Sequence, residues 1–240
     1  ARLDSAGVLL RTDLDLFAEA WPDRPALPRA PVYAHASPQV VRPRAERLAA
    51  VREAMARHGA THHFVSTVDD IAWLTALRGA DVEYNPIFLA HLLMDATGAT
   101  LFVGDGKVPV DLAKALATDG VALADYARAG EALGRLADGS VLLVDPRRVT
   151  LGFRQRVPTA VRVIEAMNPS TLLKSRKLDA EAAFVREAMV EDGAAMCEFY
   201  AWFEAAMARG ERISELTVDE RLSAERAKRP GFVGLSFSTI

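Results

Sequence analysis

Between residues 30 and 168, short apolar runs alternate with segments whose apolar residues recur every three or four positions. The recurring spacing is that of one helix face, whereas short continuous apolar runs are typical of buried strands. Helices are predicted over residues 43–58, 71–77, 110–116 and 131–136, and strands over 64–65, 87–93, 99–103, 121–124, 141–144 and 161–164. A turn at residues 95–98 makes the second and third strands a β-hairpin. Strands that alternate with helices in this way indicate a mixed α/β layer domain.

The pattern changes after residue 170. A long helix is predicted from Asp179, which we expect to cap it, to Gly210, and a second amphipathic helix runs from Glu215 to Arg226. The apolar stripe of the first helix is formed by Val185, Met189, Met196, Phe199, Phe203 and Met207. Residues 232–240 are predicted to form a strand. Two helices and one strand cannot close a core, so we expect 29–170 to be the α/β domain and 171–240 the incomplete start of another domain.

The first 28 residues have a different character. Apolar residues at positions 8 to 17 are too few for a core, and prolines follow at positions 22, 25, 28 and 31. Proline fixes φ and removes a hydrogen-bond donor, so this run is predicted to be an extended connector. We interpret residues 1–28 as the tail of a preceding domain and a proline-rich linker. A ligand for an SH3-like module is the alternative, but the surrounding residues suit docking on the chain's own surface.

Composition excludes several classes of partner. The 240 residues carry a net charge of −3, which gives no electrostatic footprint for nucleic acid or acidic lipid. No stretch approaches the ~18 apolar residues that a membrane span needs. The single cysteine, Cys197, excludes an internal disulfide, and we expect its side chain to be buried as a small hydrophobe. A reducing, cytoplasmic location is therefore predicted.

Four short motifs invite a chemical interpretation. His62 and His63 are neighbours on a predicted strand, so their rings point to opposite faces and cannot share a metal ion. Asp69 or Asp70 is expected to cap the helix that follows. The Gly104–Lys107 segment lacks the spacing of a phosphate loop and is predicted to be a turn. Residues 234–238 lack the last glycine of a hydrolase elbow. No array here would perform acid–base, nucleophilic or metal chemistry by itself.

Three stretches, read together, resemble one family. Residues 69–86, DDIAWLTALRGADVEYNP, resemble the second-domain signature of the three-domain Xaa-Pro aminopeptidases, the aminopeptidase P family. Residues 21–28, WPDRPALP, resemble the end of that family's first domain. Residues 170–177, STLLKSRK, resemble the start of its catalytic "pita-bread" domain. The blocks occur in the family order and at the family spacing, and the resemblance spans nearly the whole chain.

The resemblance implies a fold and an activity. The fold would be a creatinase N-terminal-like mixed-sheet domain with flanking helices, followed by the first helices and strand of an α+β pita-bread domain. The enzyme would be a cytoplasmic, homodimeric metallopeptidase that removes the N-terminal residue from peptides with proline in second position. Its cofactors would be two divalent metal ions, expected to be Mn²⁺, held by two aspartates, one histidine and two glutamates. No position here matches a ligand, so these residues are expected after Ile240.

The loop inside the first motif is the remaining candidate site. Arg78, Asp81, Tyr84 and Asn85 lie between an apolar helix and an apolar strand, where polar side chains can serve a domain junction. The family signature coincides with the loop, so these residues are candidates for a substrate-side or interdomain role. The alternative is a structural turn in which Arg78 caps a helix end and pairs with Asp81.

Competing functions follow from the same resemblance. A pita-bread domain without metal ligands would act as a peptide- or histone-binding module, and a prolidase- or creatinase-type hydrolase is a further alternative. The three-domain signature argues against the hydrolase alternatives, because those chains usually carry one N-terminal domain. Residues 30–168 could also serve mainly to hold a homodimer together.

Overall fold

The apolar runs form one mixed sheet in the computed structural model, which describes residues 2–9, 11, 13–14 and 16–237. The strands are β1 Tyr33–Ala34, β2 His62–Val65, β3 Leu77–Arg78, β4 Ala90–Met94, β5 Ala99–Val103, β6 Val121–Asp125, β7 Val141–Val144 and β8 Arg162–Glu165. Six of them form a sheet in the order β6-β5-β4-β2-β7-β8, and β1 pairs separately with β3. Strand β4 is antiparallel to β2 and β5, whereas the other pairs in the large sheet are parallel. The predicted mixed sheet and hairpin are confirmed.

Helices cover both faces of the sheet. The helices of the described residues are α1 Arg2–Ser5, α2 Phe17–Ala20, α3 Arg44–Arg57, α4 Val68–Thr75, α5 Val110–Thr118, α6 Ala129–Gly134, α7 Leu151–Arg156, α8 Pro169–Ser175, α9 Asp179–Ala208 and α10 Glu215–Ala227, with a 3₁₀ turn at Tyr126–Arg128. Those that contribute to the cores on the sheet are α3 to α8. Alternation along β2 separates two cores, because successive side chains leave a strand on opposite faces. Val65 packs in the core that includes residues of α3, α4 and α5, and Phe64 packs in the core of α6 and α7.

The beginning of α4 corrects one prediction. Thr67 occupies the N-cap position, and Asp69 and Asp70 lie in the first turn of the helix. Neither aspartate caps the helix, although acidic residues in a first turn complement its dipole. Their side chains instead contact α8, whose Lys174 forms ion pairs with both carboxylates. The predicted boundary at residue 170 stays a prediction, and α8, which begins beside it, packs against α3 and α4.

The two long helices pack against each other and leave much apolar surface exposed. Ion pairs join them: Arg226 Nε lies 2.7 Å from Asp192 Oδ1, and Arg229 contacts Glu198 at the same distance. Phe199 of the predicted stripe is buried. In contrast, Val185, Met189 and Met207 are 50%, 62% and 57% exposed. The described residues therefore bury only part of the apolar stripe of α9.

Three further predictions for this region are wrong. Leu178 occupies the N-cap position of α9 and Asp179 is the first residue of the helix, so Asp179 does not cap it. Cys197 is exposed, because the buried residues of α9 are Ala195, Phe199 and Ala206 and a two-residue step turns a helix by about 200°. Residues 232–237 do not form a strand. No strand in the described part of the chain lies beside them, and an unpaired strand leaves its backbone groups without partners. Residues 238–240 lie outside the described residues.

The proline-rich connector contacts the α/β part of the chain. The backbone N–H of Val32 donates to the carbonyl of Lys107 at 2.9 Å, and Lys107 Nζ donates to the Pro28 carbonyl at 3.2 Å. These contacts agree with docking on the chain's own surface. Among the described helices, none is both long and apolar enough to cross a membrane.

Candidate functional site

A cleft of about 400 Å³ opens where the α/β layer meets the beginning of α9, and we refer to it as the junction cleft. It is bounded by α3, α4, β3, α8 and α9. Its polar wall is formed by His35, Gln39, Arg47, Asp69, Arg78, Asn85, Lys174, Lys177 and Glu181. Its apolar wall is formed by Ala72, Trp73, Pro86, Ile87, Phe184 and Val185. Of the four residues predicted from sequence, Arg78 and Asn85 line the cleft.

Arg78 links the end of α4 to the cleft. Helix α4 ends at Ala76 in the left-handed conformation, with φ of 51°. One terminal nitrogen of Arg78 donates to the carbonyls of Ala72 at 3.2 Å and Leu77 at 2.9 Å, which satisfies carbonyl groups at the helix end. Arg78 thus caps the helix, as the structural alternative predicted, while it also lines the cleft.

Asp81 has a different partner from the one expected. Its carboxylate pairs with Lys107 rather than with Arg78, and its Oδ2 also accepts from the Leu89 backbone N–H at 2.7 Å. The side chains of Lys107 and Asp81 are only 3% and 0% exposed. The Gly104–Lys107 turn forms as predicted, but the role of its lysine was missed. The signal in the sequence was a single lysine directly after an apolar strand and a glycine-rich turn.

The rest of the loop is tightly built. Gly79 has no room for a side chain, because an added Cβ would lie 2.7 Å from Phe88 Cβ. Tyr84 has φ of 60°, a conformation that non-glycine residues seldom adopt. The Asn85 N–H donates to the Val82 carbonyl at 3.2 Å, which closes the turn and presents Asn85 to the cleft. Tyr84 is exposed and does not line the cleft.

Arg47 was not recognised as a cleft residue from the sequence. The helical pattern assigned it to the polar face of α3, but it is only 3% exposed. Its Nε donates to the Arg42 carbonyl at 2.8 Å, a terminal nitrogen donates to the Trp73 carbonyl, and the guanidinium lies 5.0 Å from the centre of the Trp73 ring. Burial lowers the pKa of Arg47, Glu181 opposes that effect, and Arg78 adds to it. The spacing of arginines along α3 gave no sign of which one turns inward.

The electrostatics of the cleft are dominated by positive charge. Burial, followed by the charges of Arg78 and Arg47, lowers the pKa of His35 below its ordinary value. Among the described residues, neither Arg47 nor Arg78 has a carboxylate within the 4.0 Å of an ion pair. The two carboxylates that line the cleft have other partners: Asp69 pairs with Lys174, and Glu181 accepts from the Leu178 N–H at 2.9 Å.

The paired histidines behave as the strand pattern predicted. His63 is fully buried, its Nδ1 lies 3.0 Å from the Leu143 carbonyl, and burial lowers its pKa to about 4. His62 lies on the other side beside the Thr61 hydroxyl. Within the residues that the structure describes, no three or more His, Cys, Asp or Glu side chains group as a metal site would require. The described residues therefore do not fit a metal pair, and no metal chemistry is assigned to them.

Another buried histidine, His91, lies on the other face of the sheet, beside the core of α6 and α7. His91 Nδ1 is 2.9 Å from the Ser66 hydroxyl oxygen, and its ring packs 4.7 Å from Tyr126 and 4.6 Å from Phe153, centre to centre. Burial lowers the pKa of His91 to about 4. The neutral ring is packed among aromatic side chains, which explains its place in the core without a catalytic role.

Comparison with known proteins gives one family match and many relatives. The profile described as Creatinase/Prolidase N-terminal domain matches residues 23–181. A probable Xaa-Pro aminopeptidase P of Botryotinia fuckeliana is 30% identical over 97% of the chain and 37% of its own length. Xaa-Pro aminopeptidase 1 of Dictyostelium discoideum is 33% identical over 81% of the chain and 31% of its own length. The chain thus spans about a third of the length of these relatives.

Solved structures show the same fold. X-prolyl aminopeptidase of Caenorhabditis elegans, described as a cytosolic enzyme with a di-nuclear active site, superposes with a TM-score of 0.89 at 21% identity. The match covers 98% of this chain and 39% of that one. The N-terminal domain of the FACT complex subunit SPT16 of chickpea superposes with a TM-score of 0.54 at 14% identity, over 78% of this chain and 51% of that one.

Proposed function

The chain belongs to the creatinase/prolidase N-terminal domain family, and on that basis we propose that it is part of a metal-dependent aminopeptidase that releases the N-terminal residue from peptides with proline in second position. One observation carries the proposal: similarity to an Xaa-Pro aminopeptidase P extends over 97% of the chain, across both the α/β part and the long helices. The C. elegans enzyme supports it through the fold.

Within that enzyme, this chain supplies scaffold and a junction. The sheet and its helices hold the loop of residues 78–87, and Arg78 and Asn85 serve as substrate-side or interdomain residues at the junction cleft. Asp81 and Tyr84 shape the loop. Two divalent ions, Mn²⁺ in this proposal, are held by other residues of the complete enzyme, because no described group offers a ligand set. Such a pair, when bound, polarises a carbonyl and lowers the pKa of bound water.

The remaining parts of the proposal concern location and assembly. A cytoplasmic site of action is supported by the single exposed cysteine and by the cytosolic C. elegans structure. A homodimer is the assembly that the resemblance implies. Residues 1–28, 29–170 and 171–240 correspond, in this proposal, to a linker, the α/β domain and the start of the catalytic domain.

A peptidase assay on the complete enzyme tests the proposal. A peptide beginning Ala-Pro should lose its alanine, a matched peptide beginning Ala-Ala should not, and a chelator should abolish cleavage until Mn²⁺ is restored. The 240-residue chain alone should be inactive. Absence of cleavage by a folded, Mn²⁺-loaded complete protein, with retained peptide binding, would instead favour the non-catalytic peptide-binding module. Cleavage only of an Ala-Pro dipeptide would favour a prolidase.

A further inference from the structure

The junction cleft contains positive charge that the described residues do not neutralise. Arg47 is 3% exposed and Arg78 half-buried, and within the described chain neither has a carboxylate at ion-pair distance. A buried charge without a counter-charge is costly, so a site of this kind favours an anion. We propose that the junction cleft binds the C-terminal carboxylate of a short peptide through the guanidinium groups of Arg47 and Arg78.

The two guanidinium groups are held in place before any ligand binds. Each donates hydrogen bonds to backbone carbonyls. Arg47 donates to those of Arg42 and Trp73, and Arg78 donates to those of Ala72 and Leu77. The guanidinium of Arg47 also stacks at 5.0 Å on the Trp73 ring, which fixes its plane. A guanidinium carries five donors, so donors remain for a carboxylate, whose two oxygens match its fork geometry. Little side-chain entropy is lost on binding.

Carboxylates of the chain itself do not fill this role. Asp69 is engaged by Lys174, and Glu181 is engaged by the backbone at the beginning of α9. Glu181 influences Arg47 through its charge, but the two form no ion pair. Lys177 adds a further positive charge at the rim of the cleft, where its Nζ donates to the Lys174 carbonyl at 3.4 Å. The balance of charge in the cleft therefore remains positive.

The other walls favour a peptide over a bare inorganic anion. Trp73, Ile87 and Phe184 provide apolar surface, and the side-chain amides of Gln39 and Asn85 can pair with peptide groups. The volume of about 400 Å³ lies within the range of small-molecule sites. A phosphate ion would leave the apolar wall unused. A short peptide with an apolar last residue and a free carboxylate uses all of these features.

Calorimetric titration of the 240-residue chain tests the proposal without any catalytic step. The probes are N-acetyl-Gly-Pro-Leu with a free carboxylate, the same peptide as its C-terminal amide, and inorganic phosphate. The free acid should bind about tenfold more tightly than the amide. Equal affinity for acid and amide, or binding of phosphate as tight as that of the free acid, would overturn the proposal.

Variants locate the site. Arg47→Gln and Arg78→Gln should each reduce the preference for the acid to within about twofold. Arg44→Gln is the matched control, because Arg44 lies on the same helix, also donates to a carbonyl near the end of α4, and pairs with Asp119 away from the cleft. It should keep the preference. If both cleft variants keep it, the proposal fails. Circular dichroism verifies that each variant folds. If Arg78→Gln unfolds, Arg78→Lys takes its place in the test; it retains the charge and should keep part of the preference.

These titrations do not depend on the proposed function. Peptidase activity of the complete enzyme with no difference between acid and amide would overturn the carboxylate site alone. A preference for the acid in a protein that does not cleave Xaa-Pro peptides would overturn the proposed function alone.

Discussion

Burial changes the chemistry of individual side chains more than their position in the sequence suggests. His63 and Arg47 are polar residues in the interior, and each is stabilised by backbone carbonyl groups. For His63 the consequence is a neutral ring at physiological pH, because the pKa falls from 6.5 to about 4. Arg47 remains protonated, so its burial places a positive charge in the wall of the junction cleft.

The depressed pKa of His63 predicts how stability changes with pH. Between pH 6.5 and about 4 the unfolded chain binds a proton at this residue and the folded chain does not, so the free energy of unfolding falls as the pH falls through this window. The full effect is at most about 3 kcal/mol, and it levels off below the folded pKa. Urea unfolding at pH 7, 6, 5 and 4 measures it.

A pair of variants isolates this residue from other groups, including His91, that act in the same direction. His63→Gln should be less stable than the parent at pH 7 but should lose less stability between pH 6.5 and 4. His62→Gln, which changes the neighbouring surface ring, should keep the parent's slope. Equal slopes in all three proteins would show that His63 does not contribute.

At the scale of elements, the loop after β3 depends on a buried ion pair. Asp81 of the loop and Lys107 of the turn after β5 are both almost completely buried, and Lys107 also contacts Pro28 of the connector. Three separate segments therefore meet at one charge pair. Removing one partner leaves the other charge buried, which is far more damaging than loss of a surface pair.

A double-mutant cycle tests this junction. Asp81→Asn and Lys107→Met should each lower the free energy of unfolding by about 3 kcal/mol or more. The double variant should lose clearly less than the sum, because no unpaired charge remains. Asp111→Asn, which breaks an exposed pair with Lys114, is the control and should be close to neutral. Additive losses in the double variant would contradict the role of the pair.

The elements that sequence could predict are those with a strong periodic signal. Helix α3, the β4–β5 hairpin and strands β6 and β7 form within one or two residues of the predicted bounds, except that β4 begins three residues later. Helix α7 was missed, since six residues show no period and its position depends on Thr150 as N-cap and on packing of Phe153. Long-range partners were also missed: Lys107 and Asp81 are 26 residues apart, and no local pattern connects them.

The candidate site shows the same limit. The motif pointed to the loop of Arg78 and Asn85, because polar residues between apolar elements stand out in a sequence. It could not indicate that Arg47 turns inward beside Trp73, since both residues fit ordinary helix patterns. A cleft is a property of three-dimensional packing, and its charge depends on which carboxylates are already paired.

At the scale of the whole molecule, the α/β layer is joined to the long helices through α8. Asp70 is 1% exposed, accepts from the Thr171 hydroxyl at 2.6 Å and lies 2.9 Å from Lys174 Nζ. Asn168, directly before α8, donates to Thr67 at 2.7 Å. Helix α8 is therefore anchored to the start of α4, and α9 follows it after three residues.

Adjacent aspartates allow a matched test of this coupling. Asp70→Asn should lower the free energy of unfolding by about 2 kcal/mol, because it weakens charged hydrogen bonds in the interior. Asp69→Asn, whose side chain is 52% exposed and pairs with the same lysine, should cost less than about 1 kcal/mol. Hydrogen exchange adds the spatial result: amides of α8 should exchange faster in Asp70→Asn, while those of β5 stay protected. Equal effects of the two substitutions on α8 would mean that the surface ion pair, and not the buried carboxylate, connects the layer to the long helices.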